Sequence, residues 1–329
     1  MTREIDGYVE WAQFVDRAGF AFLGFGDSQS RWMDCWTMLG ITTMNTERVL
    51  LGPFITNPIG RHPAVAAGAA VTLQKISHGR VMFGLGTGET SIRDLGEPKL
   101  PLADFEEYAL AIKGLSEGKT APYRGHELRL LWDAEPVPLL IAGDGPEVQR
   151  LAGRIGDGAI VGNGATPEVV RYALANIRAG AIEAGRDPDQ IEVWWMTRVQ
   201  VSETEDEVYR ELRPYMATYA NTRYRSGVGA KGIPVDEDVA ERLRGLRRDF
   251  RYEDSLFTER TYNGDLVDKY GLRQWLGRQF VIAGPRERCI ERLHELEAAG
   301  ARNIVVPMVM GDVMQSTKAL AEQILPAFV

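Results

Sequence analysis

Apolar and polar positions follow two rhythms along the chain. Within residues 4–18, Trp11, Phe14, Val15 and Ala18 recur at helical spacing, and Gly19 closes that helix. The short apolar run AFLGFGD (21–27) reads as a strand ending in Gly and Asp, and a helix is predicted over 32–45. RVLLGPFIT (48–56) is strand-like, with Pro53 marking a bulge. Pro63 to Ile76 is an alanine-rich helix with proline in its first turn. RVMFGLGTG (80–88) runs into a glycine loop, and residues 102–117 form an amphipathic helix. VPLLIAG (137–143), DGAIVG (157–162), the long IEVWWMTRVQV (191–201) and NIVVPMVM (303–310) are further strands. Helices fall between them at 146–155 and 167–184, and one closes the chain.

Strands that alternate with helices in this way predict parallel pairing through crossover helices. Short strands without polar alternation suit a sheet buried on both faces. The fold class predicted is α/β, a (β/α)8 TIM-type barrel with insertions. Seven barrel-grade strands are counted, at 21, 48, 80, 137, 158, 192 and 303, where such a barrel needs eight. Either QFVIAG (279–284) is the eighth, or the first strand is missing from this chain; the early start of helical periodicity favours the second. The domain reading is one barrel over 1–329. Residues 203–278 break the rhythm with a long charged and aromatic stretch. This is read as a helical insertion that either covers an active site or serves packing and dimerisation.

Composition narrows the function. With 44% hydrophobic and 26% charged residues, the chain of 329 can bury a large core. A net charge of −8 argues against nucleic acid or an anionic membrane as partner. Two cysteines, Cys35 and Cys289, make neither a disulfide framework nor a zinc site, and the four histidines lack metal-binding spacing, so no metal is expected. No signal-peptide core or span-length apolar run is present, and the expected compartment is cytoplasmic.

In a barrel the chemistry lies on the loops after the strands. After the first strand stands Asp27, which either holds a cofactor or a proton or caps the next helix. After the second comes a polar elbow, Phe54 to Pro63, whose Arg61 and His62 either face an anion or make a structural turn. Gly84-Leu85-Gly86-Thr87-Gly88-Glu89 follows the third; its glycines let backbone approach a flat ligand, and it is not the dinucleotide fingerprint. Ala142-Gly143-Asp144-Gly145-Pro146 and Gly162-Asn163-Gly164-Ala165-Thr166 each open a helix, a pairing that suits a phosphate or simply two tight turns.

These residues carry a resemblance. ITNPIGRHPAVAAGAAVTLQKISHGRVMFGLGTGE (55–89) resembles the luciferase-like flavin/deazaflavin oxidoreductases, and within them the coenzyme F420-dependent branch. IAGDGPEVQRLAGRIGDGAIVG (141–162) and FVIAGPRERCIERLHELEAAGARNIVV (280–306) resemble it too. The resemblance implies a deazaflavin ring over Phe54-Ile55, where the family often has a non-proline cis peptide. Asp27, Thr56 and Asn57 would lie near the ring, with Gly86, Thr87 and Gly88 passing it by backbone. Glu89 would stand beside the reaction centre as the catalytic proton donor or acceptor. Ala142, Gly143, Gly162 and Asn163 would hold the side-chain phosphate. Trp32 matches the active-site tryptophan of the sugar-phosphate-oxidising members and would face substrate, but Ser28 stands where those members have a catalytic histidine.

The implied function is hydride transfer between coenzyme F420 and a small organic substrate, with FMN as the alternative cofactor of a luciferase-like monooxygenase. The family also implies a homodimer. Neither substrate nor reaction direction is expressed in the sequence.

Overall fold

The computed structural model describes residues 7–225, 235–254, 261–308 and 311–328. In chain order the elements begin with α1 (Tyr8–Ala18), β1 (Phe22–Phe25), α2 (Cys35–Asn45), β2 (Leu50–Pro53), α3 (Pro63–Ser77) and β3 (Phe83–Gly86). They continue with α4 (Thr90–Asp94), α5 (Leu102–Ser116), β4 (Ala121–Tyr123), β5 (His126–Leu128), β6 (Leu139–Ala142), α6 (Pro146–Ile155) and β7 (Gly158–Val161). Next come α7 (Pro167–Glu183), β8 (Glu192–Met196), β9 (Arg198–Val201), α8 (Glu205–Glu211), α9 (Arg213–Arg223) and α10 (Glu237–Asp249). The last are α11 (Tyr262–Lys269), α12 (Arg273–Phe280), β10 (Val281–Gly284), α13 (Arg286–Ala298), β11 (Asn303–Val305) and α14 (Val313–Ala319).

The chain forms two compact units. One holds the described residues up to Gly143, with Glu147–Ile160 and Ile177–Glu192; the other holds Asp144–Pro146, Val161–Asn176 and the described residues from Val193 onward. In the first, β1 pairs with β2, and β6 pairs with both β3 and β7, all three ladders parallel. Their buried residues, Leu23, Leu51, Phe83, Leu85, Leu139 and Ile141, are at most 3% exposed, as strands covered on both faces require. Ala66, Ala67 and Ala70 on α3 are all buried, and the small alanine side chains let α3 lie close to α5. The Asp16 carboxylate at the end of α1 accepts hydrogen bonds from the backbone N–H of Glu47, Arg48 and Val49, which fixes the approach to β2.

In the second unit β8 pairs with β11 and β9 with β10, again in parallel. The predicted single strand over 191–201 is thus two strands that change partner at Thr197. That residue's N–H donates to Val305 O (3.1 Å), and its hydroxyl donates to Phe280 O (3.3 Å), so it ties the chain to both neighbours. QFVIAG divides between the end of α12 and β10, which lies on β9 alone among the described strands. The described part of 203–278 is helical, from α8 through most of α12. The stretch ahead of the first helix, where a barrel strand is expected to be missing, falls on residues 1–6 and lies outside the described residues.

The β/α alternation with parallel pairing is therefore present, and the described ladders do not by themselves close a ring. Among the described residues the one antiparallel pair is the β4–β5 hairpin, which periodicity did not predict. No described helix is long and apolar enough to cross a membrane.

Candidate active site

The first unit gathers three strand-end loops. Thr56 donates its N–H to Gly84 O and accepts from Gly86 N–H, both at 3.0 Å, so the chain beyond β2 stays stitched to β3. Asp27 N–H donates to Ile55 O (3.2 Å), which joins the loop after β1 to the same edge. Between these contacts the Phe54–Ile55 peptide is cis, at the position the sequence resemblance implied. The Thr56 hydroxyl donates to the Asp27 carboxylate at 2.7 Å. Asp27 is thus a partner of Thr56 rather than a helix cap; the cap of α2 is Asp34, which accepts from Thr37 N–H at 2.8 Å.

Asn57 is buried and organises the elbow. Its side-chain oxygen accepts from the N–H of Ile59 (3.0 Å) and Gly60 (3.1 Å), and its amide donates to the Ser91 hydroxyl (3.1 Å). Gly86 lies directly beneath Ile55: a Cβ there would come within 2.4 Å of Ile55 Cδ1. Gly88 has φ +79° and would place a Cβ 2.7 Å from Ile92 Cγ2, so glycine is required there by the turn itself as well as by any ligand approach. Phe54, Ile55, Thr87 and Trp32 are half-buried, and the Trp32 N–H donates to Ser28 O (3.0 Å).

Glu89 follows directly, at the start of α4 but with no side-chain capping bond. Its carboxylate forms ion pairs with Lys99 (2.6 Å) and Arg93 (3.4 Å), its side chain 23% exposed. The loop after β1 is tied to α4 by the Arg31–Asp94 pair (2.5 Å) and by Gln29 donating to Ser91 O (3.1 Å). Sequence reasoning picked out neither these ties nor Lys99. Arg61 and His62 take the structural alternative: His62 Nδ1 accepts from Ala64 N–H (3.3 Å) to cap α3, and Arg61 pairs with Asp34 (3.2 Å). Burial opposes charge on Asp34, but hydrogen bonds from Thr37 and the Arg61 guanidinium outweigh it and hold the carboxyl below its usual range. Burial, reinforced by the charges of Asp27 and Asp34, pushes the Cys35 thiol far up.

Ala142 ends β6 and Gly143 follows it, its N–H donating to Ile160 O (3.1 Å). In the second unit Gly162 and Asn163 follow β7. Gly162 N–H donates to the Asp144 carboxylate (3.1 Å), and the Asn163 amide donates to Asp144 O (3.0 Å). Arg223 from α9 completes this cluster. Its Nε donates to Gly162 O (2.7 Å), its guanidinium pairs with the Asp144 carboxylate, and it lies 4.8 Å from the Tyr219 ring centre. Asn163 is fully buried, and its Oδ1 has no hydrogen-bond partner. Arg223 escaped sequence reasoning because nothing in the periodicity of YANTRYR separates it from the surface arginines of 203–278. Among the described residues no cluster of His, Cys, Asp or Glu could hold a metal ion.

The chain is 26% identical to a 5,10-methylenetetrahydromethanopterin reductase of Archaeoglobus fulgidus, over 98% of this chain and 95% of that one. It is 29% identical to an F420-dependent glucose-6-phosphate dehydrogenase of Nakamurella multipartita, over 88% and 80%. In structure it matches the coenzyme F420-dependent tetrahydromethanopterin reductase of Methanopyrus kandleri with a TM-score of 0.76 and 22% identity, over 98% and 95% of the two chains. That likeness establishes a shared fold. The sequence profile of the luciferase-like monooxygenases matches residues 2–303, and the chain belongs to that family.

Proposed function

We propose that this protein is a coenzyme F420-dependent oxidoreductase that moves a hydride between the deazaflavin and a small organic substrate. The observation that carries the reading is the joined floor of Asp27, Ile55, Thr56 and Gly86 at the ends of three neighbouring strands. It is supported by relatives named F420-dependent glucose-6-phosphate dehydrogenase that match most of the chain. Solved structures named as monooxygenases resemble the chain less, with TM-scores of 0.66 and 0.68.

The residues fit such a cofactor. A buried, partnerless Asn163 Oδ1 and a cationic Arg223 beside Gly162 suit the polar side chain of a phosphorylated cofactor. When bound, coenzyme F420 supplies a carbon centre that gives or takes a hydride. Asp27, Thr56 and Asn57 would orient the ring, and Gly86, Thr87 and Gly88 would meet it by backbone. Gly162 and Asn163 would hold the phosphate. Glu89 would hold or release the proton that accompanies hydride transfer, and Trp32 would face the substrate. The protein would work as a homodimer in the cytoplasm.

The test is fluorescence titration using the chain's seven tryptophans. Saturable quenching by coenzyme F420 with a lower Kd than for FMN is expected. Preferential binding of FMN would replace this reading with the monooxygenase one.

A further inference from the structure

We infer that Arg223 is the cation that recognises the cofactor's side-chain phosphate, and that Asp144 competes with that phosphate for it. This rests on the deazaflavin reading above and gives Arg223 and Asp144 opposing roles in it. The argument starts from burial. The Arg223 side chain is 9% exposed and projects from α9 onto the loop after β7. One edge of its guanidinium is committed to the backbone, through Nε donating to Gly162 O. The other edge meets a carboxylate, Asp144, which also accepts the Gly162 N–H. One anion is therefore held by one guanidinium edge and one backbone N–H, the donor set that a phosphate oxygen recruits.

Two features separate this cluster from an ordinary structural ion pair. Gly162 keeps the space above its backbone narrow: a Cβ would come within 3.0 Å of Arg223 Nη2 and 3.1 Å of Met196 Cε. The arginine thus lies close against bare backbone, and both the guanidinium and the Gly162 N–H face the same carboxylate. The neighbouring Asn163 is fully buried with an unpartnered side-chain acceptor, Oδ1, which a ligand hydroxyl can satisfy. A phosphate next to a polyol chain presents both halves of this match, an anion for Arg223 and the Gly162 N–H, and a hydroxyl for Asn163. The Asp144 carboxylate would then face a second anion across a shared cation, and like charges at that distance repel.

The experiment compares coenzyme F420 with the same deazaflavin bearing its ribityl chain but no phosphate. Both are titrated by fluorescence against the parent protein, Arg223→Gln and Asp144→Asn. The parent should prefer the phosphorylated form. Arg223→Gln should weaken F420 binding by about 10- to 100-fold, the loss of one charge-assisted hydrogen bond, and leave the phosphate-free form within about two-fold. That unchanged affinity also shows that the variant is folded. Asp144→Asn removes the competing charge and should tighten F420 binding several-fold without affecting the phosphate-free form. If Arg223→Gln retains the parent's preference for the phosphorylated form, the assignment fails. Should Arg223→Gln not fold, Asp144→Asn decides alone, and an unchanged or weakened F420 affinity overturns the inference. Failure of the parent to bind either deazaflavin removes the underlying functional reading and this inference with it. Binding of both forms with equal affinity by the parent overturns only the phosphate assignment.

Discussion

Glu89 emerges from β3 into a turn that two left-of-centre constraints hold in place, the positive φ of Gly88 and the Asn57–Ser91 hydrogen bond. Its ion pairs with Lys99 and Arg93 are partly solvated, so removing its charge should cost little stability. Its chemistry is another matter. If it carries the proton that balances hydride transfer, Glu89→Gln should slow the chemical step by about 10²–10⁴-fold and leave F420 affinity within a few-fold. Single-turnover oxidation of reduced F420 by an accepted substrate measures this. A variant that turns over at the parent rate would pass the role to Asp27, the other carboxylate on this edge. At this scale the sequence was legible where function is local. The T-N-P-x-x-R-H-P and G-x-G-T-G-E segments each form one continuous loop, so their residues arrive together. Lys99 and Arg223 were illegible because they reach their partners from 10 residues and about 60 residues away, and no short motif encodes such a meeting.

Glycines inside helices look alike in a sequence and differ sharply once the elements pack. Gly153 on α6 and Gly180 on α7 bring two backbones together. A Cβ on Gly153 would fall 2.0 Å from Ile177 O, and one on Gly180 would fall 1.9 Å from Arg150 O. Backbone atoms cannot yield as a side-chain tip can. Gly68 in α3 has nothing within 4 Å of its would-be Cβ. Helix propensity favours alanine over glycine by up to about 1 kcal/mol, so Gly68→Ala should stabilise the protein by that order. Gly153→Ala should have the opposite sign, a loss of about 1–3 kcal/mol from overpacking. Urea denaturation of the two variants beside the parent checks the pair, and two shifts of the same sign would refute the packing argument.

The elements themselves were legible from apolar spacing, which reports burial directly. Two were not. The β8–β9 break at Thr197 comes from a change of partner, which leaves no trace in a continuous run of strand-forming residues. The β4–β5 turn uses Arg124 (φ 48°) and Gly125 (φ 76°) at its centre. Arginine in the first left-handed position hides the Asn-Gly or Asp-Gly signature that normally announces such a hairpin.

Across the whole molecule, the β/α alternation was legible because it repeats along the chain. The division into two compact units was not, since each unit is assembled from three separate segments. The two cysteines happen to sample both units, Cys35 in the first and Cys289 in the second, and both are at most 1% exposed. Each thiol is directed at a carbonyl, Cys35 at Phe25 O and Cys289 at Gly284 O, both at 3.5 Å. Burial pushes the Cys289 thiol up to about 11, and burial with nearby carboxylates raises the Cys35 thiol well above its usual range. The reactive species is the thiolate, which at pH 8 makes up only about 10⁻³ of a thiol with that pKa. Steric exclusion acts in the same direction. An aromatic disulfide reagent at pH 8 should therefore modify neither cysteine in the folded protein over a time in which the denatured chain reacts at both. Because each cysteine belongs to a different unit, peptide mapping of partially denatured samples identifies which unit has opened. Stoichiometric modification of either residue without denaturant would show that its unit opens readily under native conditions, contrary to the tightly packed interior described here.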